Sequence, residues 1–182
     1  MSEPGHQLAR GASTLARSPV GFCWQYPCDP RATQVHSSAQ FSLALGTLTS
    51  AKPYDVFCYD NTGTPTLEFL AWTDGTTRAT ALAYQDGILV KSGDSTRRYL
   101  GTFYTTSTTQ TEDSVANRYL WNYYNRVARP MSAVDITDNW TYTTATWREA
   151  RATTTNRLNF VIGYAEDVIA VDAMNVASNS TV

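Results

Sequence analysis

The stretch Tyr54–Trp72, YDVFCYDNTGTPTLEFLAW, decides how the chain is read. Its start alternates, with Tyr54, Val56 and Cys58 on one side and Asp55, Phe57 and Tyr59 on the other, as successive side chains of a strand point to opposite faces. NTGTP follows, a run of residues that turn a chain, and TLEFLAW resumes the apolar pattern. Strand, Gly/Pro-bearing loop and strand together predict a hairpin.

The pattern extends in both directions. FSLAL sets Phe41, Leu43 and Leu45 against Ser42 and Ala44, a half-buried strand, and GTLTSAKP reads as the turn after it. DGILVKSGDSTRRYLGTFYTT predicts a second hairpin about Ser92-Gly93-Asp94. The aromatic stretch RYLWNYYNRVARPM, Arg118–Met131, fits two periods. A helix would gather Leu120, Tyr123, Tyr124 and Val127, with Asp113 or Ser114 as N-cap, whereas a strand would set Trp121, Tyr123 and Val127 opposite Leu120, Tyr124 and Arg126. The strand is preferred because Trp, Asn and Tyr are indifferent helix formers and Pro130 stops the segment; a short helical turn over 112–118 could lead into it.

Further on, WTYTTATW alternates Trp140, Tyr142 and Thr144 against Thr141, Thr143 and Ala145. RLNFVIGYA places Leu158, Phe160, Ile162 and Tyr164 on one face, and DVIAVDAMNVAS is expected to close the sheet. Roughly seven or eight short strands with turns between them predict an all-β fold, an antiparallel β-sandwich or jelly-roll-like domain over residues 39–182. Residues 1–38, broken by Pro4, Pro19, Pro27 and Pro30, read as an irregular N-terminal arm.

Composition narrows the function. A net charge of -2 and a pI near 5.6 give no basic stripe for nucleic acid. Charged residues make up only 16%, and threonine supplies much of the polar character, in keeping with strands. No apolar run of about 18 residues is long enough to span a membrane, and the charged, proline-bearing N-terminus lacks a secretory pattern. Cys23, Cys28 and Cys58 are odd in number and have no paired CxxC spacing, so reduced structural thiols are expected, a Cys23–Cys28 bridge being the alternative.

Catalytic patterns are sparse. His6 and His36 both precede the β domain, which disfavours Ser-His-Asp and Cys-His chemistry. The doublets Glu112-Asp113 and Glu166-Asp167 are the glycosidase candidates, but neighbours on an extended chain diverge, and solvated loops explain them better. Asp60-Asn61-Thr62-Gly63 has oxygen donors suited to calcium but lacks the full loop, so it reads as a turn. There is no Walker loop, GxGxxG or HExxH, and neither a cofactor nor a metal is expected. The Asn139 and Asn179 sequons would matter only in a secreted eukaryotic protein. What remains is five Trp and eleven Tyr, more than a small core absorbs with every polar tip satisfied. Trp121, Tyr123, Tyr124, Trp140 and Trp147 are therefore the candidate interface or glycan-binding aromatics.

The strings FSLALGTLTSAKPYDVFCYDNTGTPTLE, DGILVKSGDSTRRYLGTFYTT, RYLWNYYNRVARPM and NWTYTTATWREA resemble a domain of virion proteins from tailed bacteriophages and prophages, of tail-fibre or minor-tail type, over roughly residues 39–165. The resemblance implies a non-enzymatic structural protein, made in the bacterial host cytoplasm and carried on the virion, that mediates assembly and host attachment. It also implies a homo-oligomer, expected to be a trimer, together with other virion proteins and a host cell-surface glycan as partners. A capsid decoration protein is the alternative, and a polysaccharide depolymerase a more distant one. The family has further β sequence before His36, so residues 1–35 are expected to be a truncated or misread start.

Overall fold

A computed structural model describes residues 20–22, 41–137, 140–166 and 168–172. Its strands are β1 (Val20–Phe22), β2 (Phe41–Leu43), β3 (Pro53–Asn61), β4 (Thr64–Ala71), β5 (Leu82–Gln85), β6 (Ile88–Lys91), β7 (Asp94–Tyr104), β8 (Asn117–Arg118), β9 (Leu120–Asn122) and β10 (Asn159–Phe160). The chain is all-β: among the described residues the only helical pieces are short 3-10 turns at Ala150–Ala152 and Thr154–Asn156. A six-stranded sheet runs β4-β3-β7-β6-β5, with β9 also paired to β7, and every pairing in it is antiparallel. β1 and β2 form an antiparallel pair, and β8 and β10 a parallel one.

Local chemistry sets these elements. β3 and β4 turn at Thr62 and Gly63, both at positive φ (51° and 88°), the two-residue turn whose twist matches a hairpin. The Asp60 carboxylate caps that turn by accepting from the Gly63 N–H at 2.7 Å, which confirms the turn reading of Asp60–Gly63. β5 and β6 use Asp86-Gly87 in the same way, with φ of 52° and 80°. β7 is the central strand. β3 lies along one of its edges, while β6 and then β9 share the other, with β9 meeting Gly101–Phe103. A register shift between Val56 and Phe57 leaves Leu100 as the extra residue on β7. The next residue is Gly101, where a Cβ would overlap the Trp121 carbonyl, so glycine lets β9 close on β7.

Alternation along β3 holds as expected and divides the core in two. Tyr54, Val56 and Cys58 join Leu67, Leu100 and Phe103 on one face, covered by Leu45 and flanked by Leu43 and Leu48. Phe57 joins Leu89, Tyr99 and Trp121 on the other, covered by Val161, Ile162 and Tyr164. The same alternation runs through Leu120–Tyr124, where Trp121 and Tyr123 face the second cluster while Leu120 and Tyr124 face the first.

Several expectations need correction. The predicted strand over Arg118–Met131 ends at Asn122, because the Asn122 side chain accepts from the N–H groups of Tyr124 and Asn125 and turns the chain; Val127 is exposed. No helical turn forms at 112–118, where Glu112 and Ser114 bond to Asn117 instead. WTYTTATW has no ladder partner among the described residues and is not a strand. In RLNFVIGYA only Asn159–Phe160 pairs; Leu158 and Phe160 stay exposed while Val161, Ile162 and Tyr164 pack inward. Residues 168–172 form no strand, and the rest of the expected closing segment lies outside the described residues. Cys58 is disulfide-bonded, not reduced; Cys23, Cys28, His6, His36 and both sequon asparagines lie outside the described residues.

Candidate functional site

A buried carboxylate anchors the second face of the sheet. Asp55, 1% exposed, stands directly opposite Thr102 on the neighbouring strand, and the Thr102 hydroxyl donates to its Oδ1 at 2.7 Å. Arg78, from the loop between β4 and β5, donates Nε to Oδ2 at 2.8 Å and Nη2 to Oδ1 at 3.3 Å. Burial raises the Asp55 carboxyl above its ordinary value, against the opposing pull of Arg78. Tyr99 completes the network, its hydroxyl 2.6 Å from Thr102 Oγ1 and accepting from Arg78 Nη2 at 3.2 Å. Burial likewise pushes the Tyr99 phenol upward.

The network is closed from above by the C-terminal segment. The Gly163 carbonyl accepts from Arg78 Nη2, and a Cβ at 163 would overlap Tyr99 OH, Thr102 Oγ1 and the Trp121 ring, so only glycine sits there. Arg78 is sandwiched further by the Trp72 and Tyr99 rings, 4.6 and 5.5 Å from their centroids. Trp72 Nε1 is buried without a hydrogen-bond partner among the described residues, although it lies near enough to the Asp55 carboxylate to help lower its pKa. With both oxygens of Asp55 committed and the carboxylate 1% exposed, the network orders the core.

From Tyr99 the aromatic contacts lead outward to the surface. Tyr99 touches Trp121 and Tyr123, with centroids 6.2 and 5.9 Å away, and Tyr123 meets Tyr124 and Tyr164 edge to face. At the rim, Tyr84 of β5 is 53% exposed; its hydroxyl donates to Glu166 Oε1 at 3.1 Å and lies 3.2 Å from that of Tyr123. Arg126 donates to Glu166 Oε2 at 2.8 Å and lies over the Tyr123 ring at 4.4 Å. That hydrogen bond holds the Glu166 carboxyl below its usual range, and the bond to Tyr123 raises the Tyr84 phenol. The result is a surface of phenol edges around a fixed, charge-balanced carboxylate and guanidinium. It can stack and hydrogen-bond a polar ligand.

The five sequence-predicted aromatics separate. Trp121 is buried, Tyr123 and Tyr124 are half-buried, and Tyr124 also accepts from Arg98 Nε at 2.9 Å. Trp140 and Trp147, by contrast, are 50% and 104% exposed, away from that cluster. Of the carboxylate doublets, Glu112 accepts from Ser114 and Asn117, Asp113 pairs with Arg118 and Arg129, and Glu166 with Arg126; Asp167 lies outside the described residues. Sequence reading passed over Asp55, Arg78, Thr102, Tyr84 and Arg126. The signal for Asp55 was a carboxylate on the Phe57 side of a strand apolar on both faces, which demands a buried partner. Arg78, in the polar TDGTTRAT, gives no local sign.

Comparison with family models, with curated proteins and with solved structures finds no match in any of the three.

Proposed function

We propose that the chain is a non-enzymatic structural protein of a phage-type virion, a β domain that assembles with copies of itself and with other virion proteins and contacts the host surface. The observation that carries this reading is the run of large apolar side chains in solvent between 134 and 171. Trp147 is 104% exposed, Val168 95%, Ile136 87%, Val171 83% and Val134 75%. Large apolar side chains left this exposed suit a surface that another chain covers, because burying them there would be favourable. The sequence resemblance to tail-fibre and minor-tail proteins supports the same reading.

Host contact falls to the Tyr84, Tyr164, Arg126 and Glu166 surface, whose rings and paired charges suit the apolar faces and hydroxyls of a cell-surface glycan. Each such site binds weakly, and a symmetric assembly multiplies it through effective concentration. The test is the solution mass of the purified full chain by light scattering over a range of concentrations. A multi-chain mass, a trimer above all, is expected. A monomer throughout would overturn the assembly reading, and release of reducing sugar from host-surface polysaccharide would overturn the non-enzymatic one.

A further inference from the structure

Three separated parts of the chain converge on one carboxylate at the rim of the second core cluster. Tyr84 comes from β5, Arg126 from the segment after β9 and Glu166 from the C-terminal segment. The Tyr84 hydroxyl donates to Glu166 Oε1 at 3.1 Å and Arg126 Nη2 to Oε2 at 2.8 Å. Behind them Tyr123 and Tyr164 pack against the buried cluster, so the rim stands on the core. Arg126 is fixed a second time, donating from Nε to the Tyr123 carbonyl at 3.1 Å.

The hydrogen-bond directions decide what this rim offers a ligand. Glu166 is held below the usual carboxylate range by the bond from Arg126, so it is ionised and only accepts. Tyr84 donates its one proton to it, and the Tyr123 hydroxyl, 3.2 Å away, then donates to Tyr84. Both phenol protons therefore point along the relay toward Glu166. Each carboxylate oxygen has two lone pairs and receives one side-chain bond from the described residues, and the Glu166 side chain is 42% exposed. Acceptors remain open to solvent, and they call for a ligand that donates.

Charge decides which donor fits. Arg126 already neutralises Glu166 and lies over the Tyr123 ring at 4.4 Å, so a cationic ligand would have to displace it from carboxylate and ring together. An anionic ligand would bring its charge against Glu166. An uncharged hydroxyl meets neither obstacle. Beside the carboxylate, Tyr84 is 53% exposed and stands at 86° to Tyr164, an edge-to-face contact that covers one ring face at most.

We infer that this surface takes a neutral sugar, two neighbouring hydroxyls donating to the Glu166 carboxylate while the C–H face of the sugar ring lies on Tyr84; the inference rests on the glycan reading above and names the class of ligand. Hydroxyls on adjacent ring carbons match the two oxygens of one carboxylate, and the apolar face of the same ring matches the phenol beside it.

The experiment is saturation-transfer NMR on the full chain with three sets of oligosaccharides: neutral glucans, mannans and galactans, anionic polygalacturonate fragments, and cationic chitosan fragments. Transfer to neutral sugars alone is expected, with an affinity that added salt leaves unmoved. Glu166→Gln should weaken that binding about tenfold or more, as loss of hydrogen bonds to a charged group does, and Tyr84→Ala should weaken it too. Urea midpoints report whether both variants fold. Binding of either charged set as strong as that of the neutral one, or neutral binding that survives both substitutions, would overturn this inference and leave the glycan reading standing. Binding to none of the three sets would defeat both. Should a variant misfold, the charge preference and salt response of the wild type decide alone.

Discussion

Arg78 grips both oxygens of Asp55, Nε to Oδ2 at 2.8 Å and Nη2 to Oδ1 at 3.3 Å, while the carboxylate itself is 1% exposed. The pair joins the loop after β4 to the middle of the sheet, and through Gly163 to the C-terminal segment. Its two halves are not equivalent, because the Arg78 side chain remains 20% exposed and can be hydrated when its partner is lost.

Arg78→Ala therefore leaves a buried, unpaired carboxylate, and a loss of about 3–5 kcal/mol is expected. Asp55→Asn keeps the shape and removes the charge, and should cost nearer 1.5–3 kcal/mol, the range for hydrogen bonds to charged groups, roughly. Urea denaturation of both variants measures the difference, and equal losses would show that burial of the charge is not the governing effect. The pH response supplies the sign. Burial raises the folded carboxyl above its unfolded value, so the folded state binds the proton more readily, and stability falls as pH rises through that window. Arg78→Ala removes the opposing pull, so its deficit should shrink on acidification as Asp55 protonates.

Gly163→Ala should detach the segment that covers the second core cluster. The added methyl group meets Tyr99 OH, Thr102 Oγ1 and the Trp121 ring together, and all three belong to the buried network or its wall. Overpacking of this kind costs typically about 1–3 kcal/mol. The check is chemical denaturation together with Trp121 emission, which should shift red as water reaches the indole. An unchanged midpoint would mean that the backbone at 163 yields without cost.

How much of this was legible depended on whether the responsible contact was local. Tyr54–Trp72 announced itself, because alternation and a Thr-Gly turn act within the hairpin they describe. β5 carried an equally good sign in Asp86-Gly87 between apolar runs, and was missed because Leu82–Gln85 is short and mixed. Trp121 was legible as an aromatic shared between core and surface, but how it comes to be buried was not, since that depends on Gly101, twenty residues earlier, admitting β9 beside β7. WTYTTATW misled in the other direction: its period is that of a strand, but a period specifies a covered face without saying which chain covers it. Arg78 could not have been chosen from its neighbours, because what fixes it is a carboxylate on another strand.

Trp121 and Trp147 were expected to play similar parts and should respond oppositely. Trp121 is 9% exposed and packs among Phe57, Leu89 and Tyr99, so Trp121→Ala should cost about 3–5 kcal/mol of folding stability. Trp147, at 104% exposed, packs against nothing among the described residues, and Trp147→Ala should leave the stability within about 0.5 kcal/mol of wild type. Parallel urea titrations of dissociated chains provide the comparison. A large loss at Trp147 would mean that its ring is packed in the single chain.

Acid should loosen the ties that the Asp135 carboxylate makes with the Thr137 N–H, Arg151 and Asn156 before it disturbs the sheet. Asp135 is held down to about 2, first by the Thr137 N–H and then by Asn156, the Thr137 side chain and Arg151. A depressed carboxylate contributes stability that is present above its ordinary value near 3.8 and lost as pH falls through the folded value. Between roughly pH 4 and pH 2 the ties from 135 to 151 and 156 should therefore let go, and amide exchange at Thr137 and over 150–156 should accelerate relative to residues of β3 and β7 after correction for intrinsic rates. Asp135→Asn removes the ionisable group, so its exchange over the same residues should already be fast at neutral pH and nearly flat across the acid range. A wild type as flat as the variant would show that the Asp135 pairs do not hold the loop in solution.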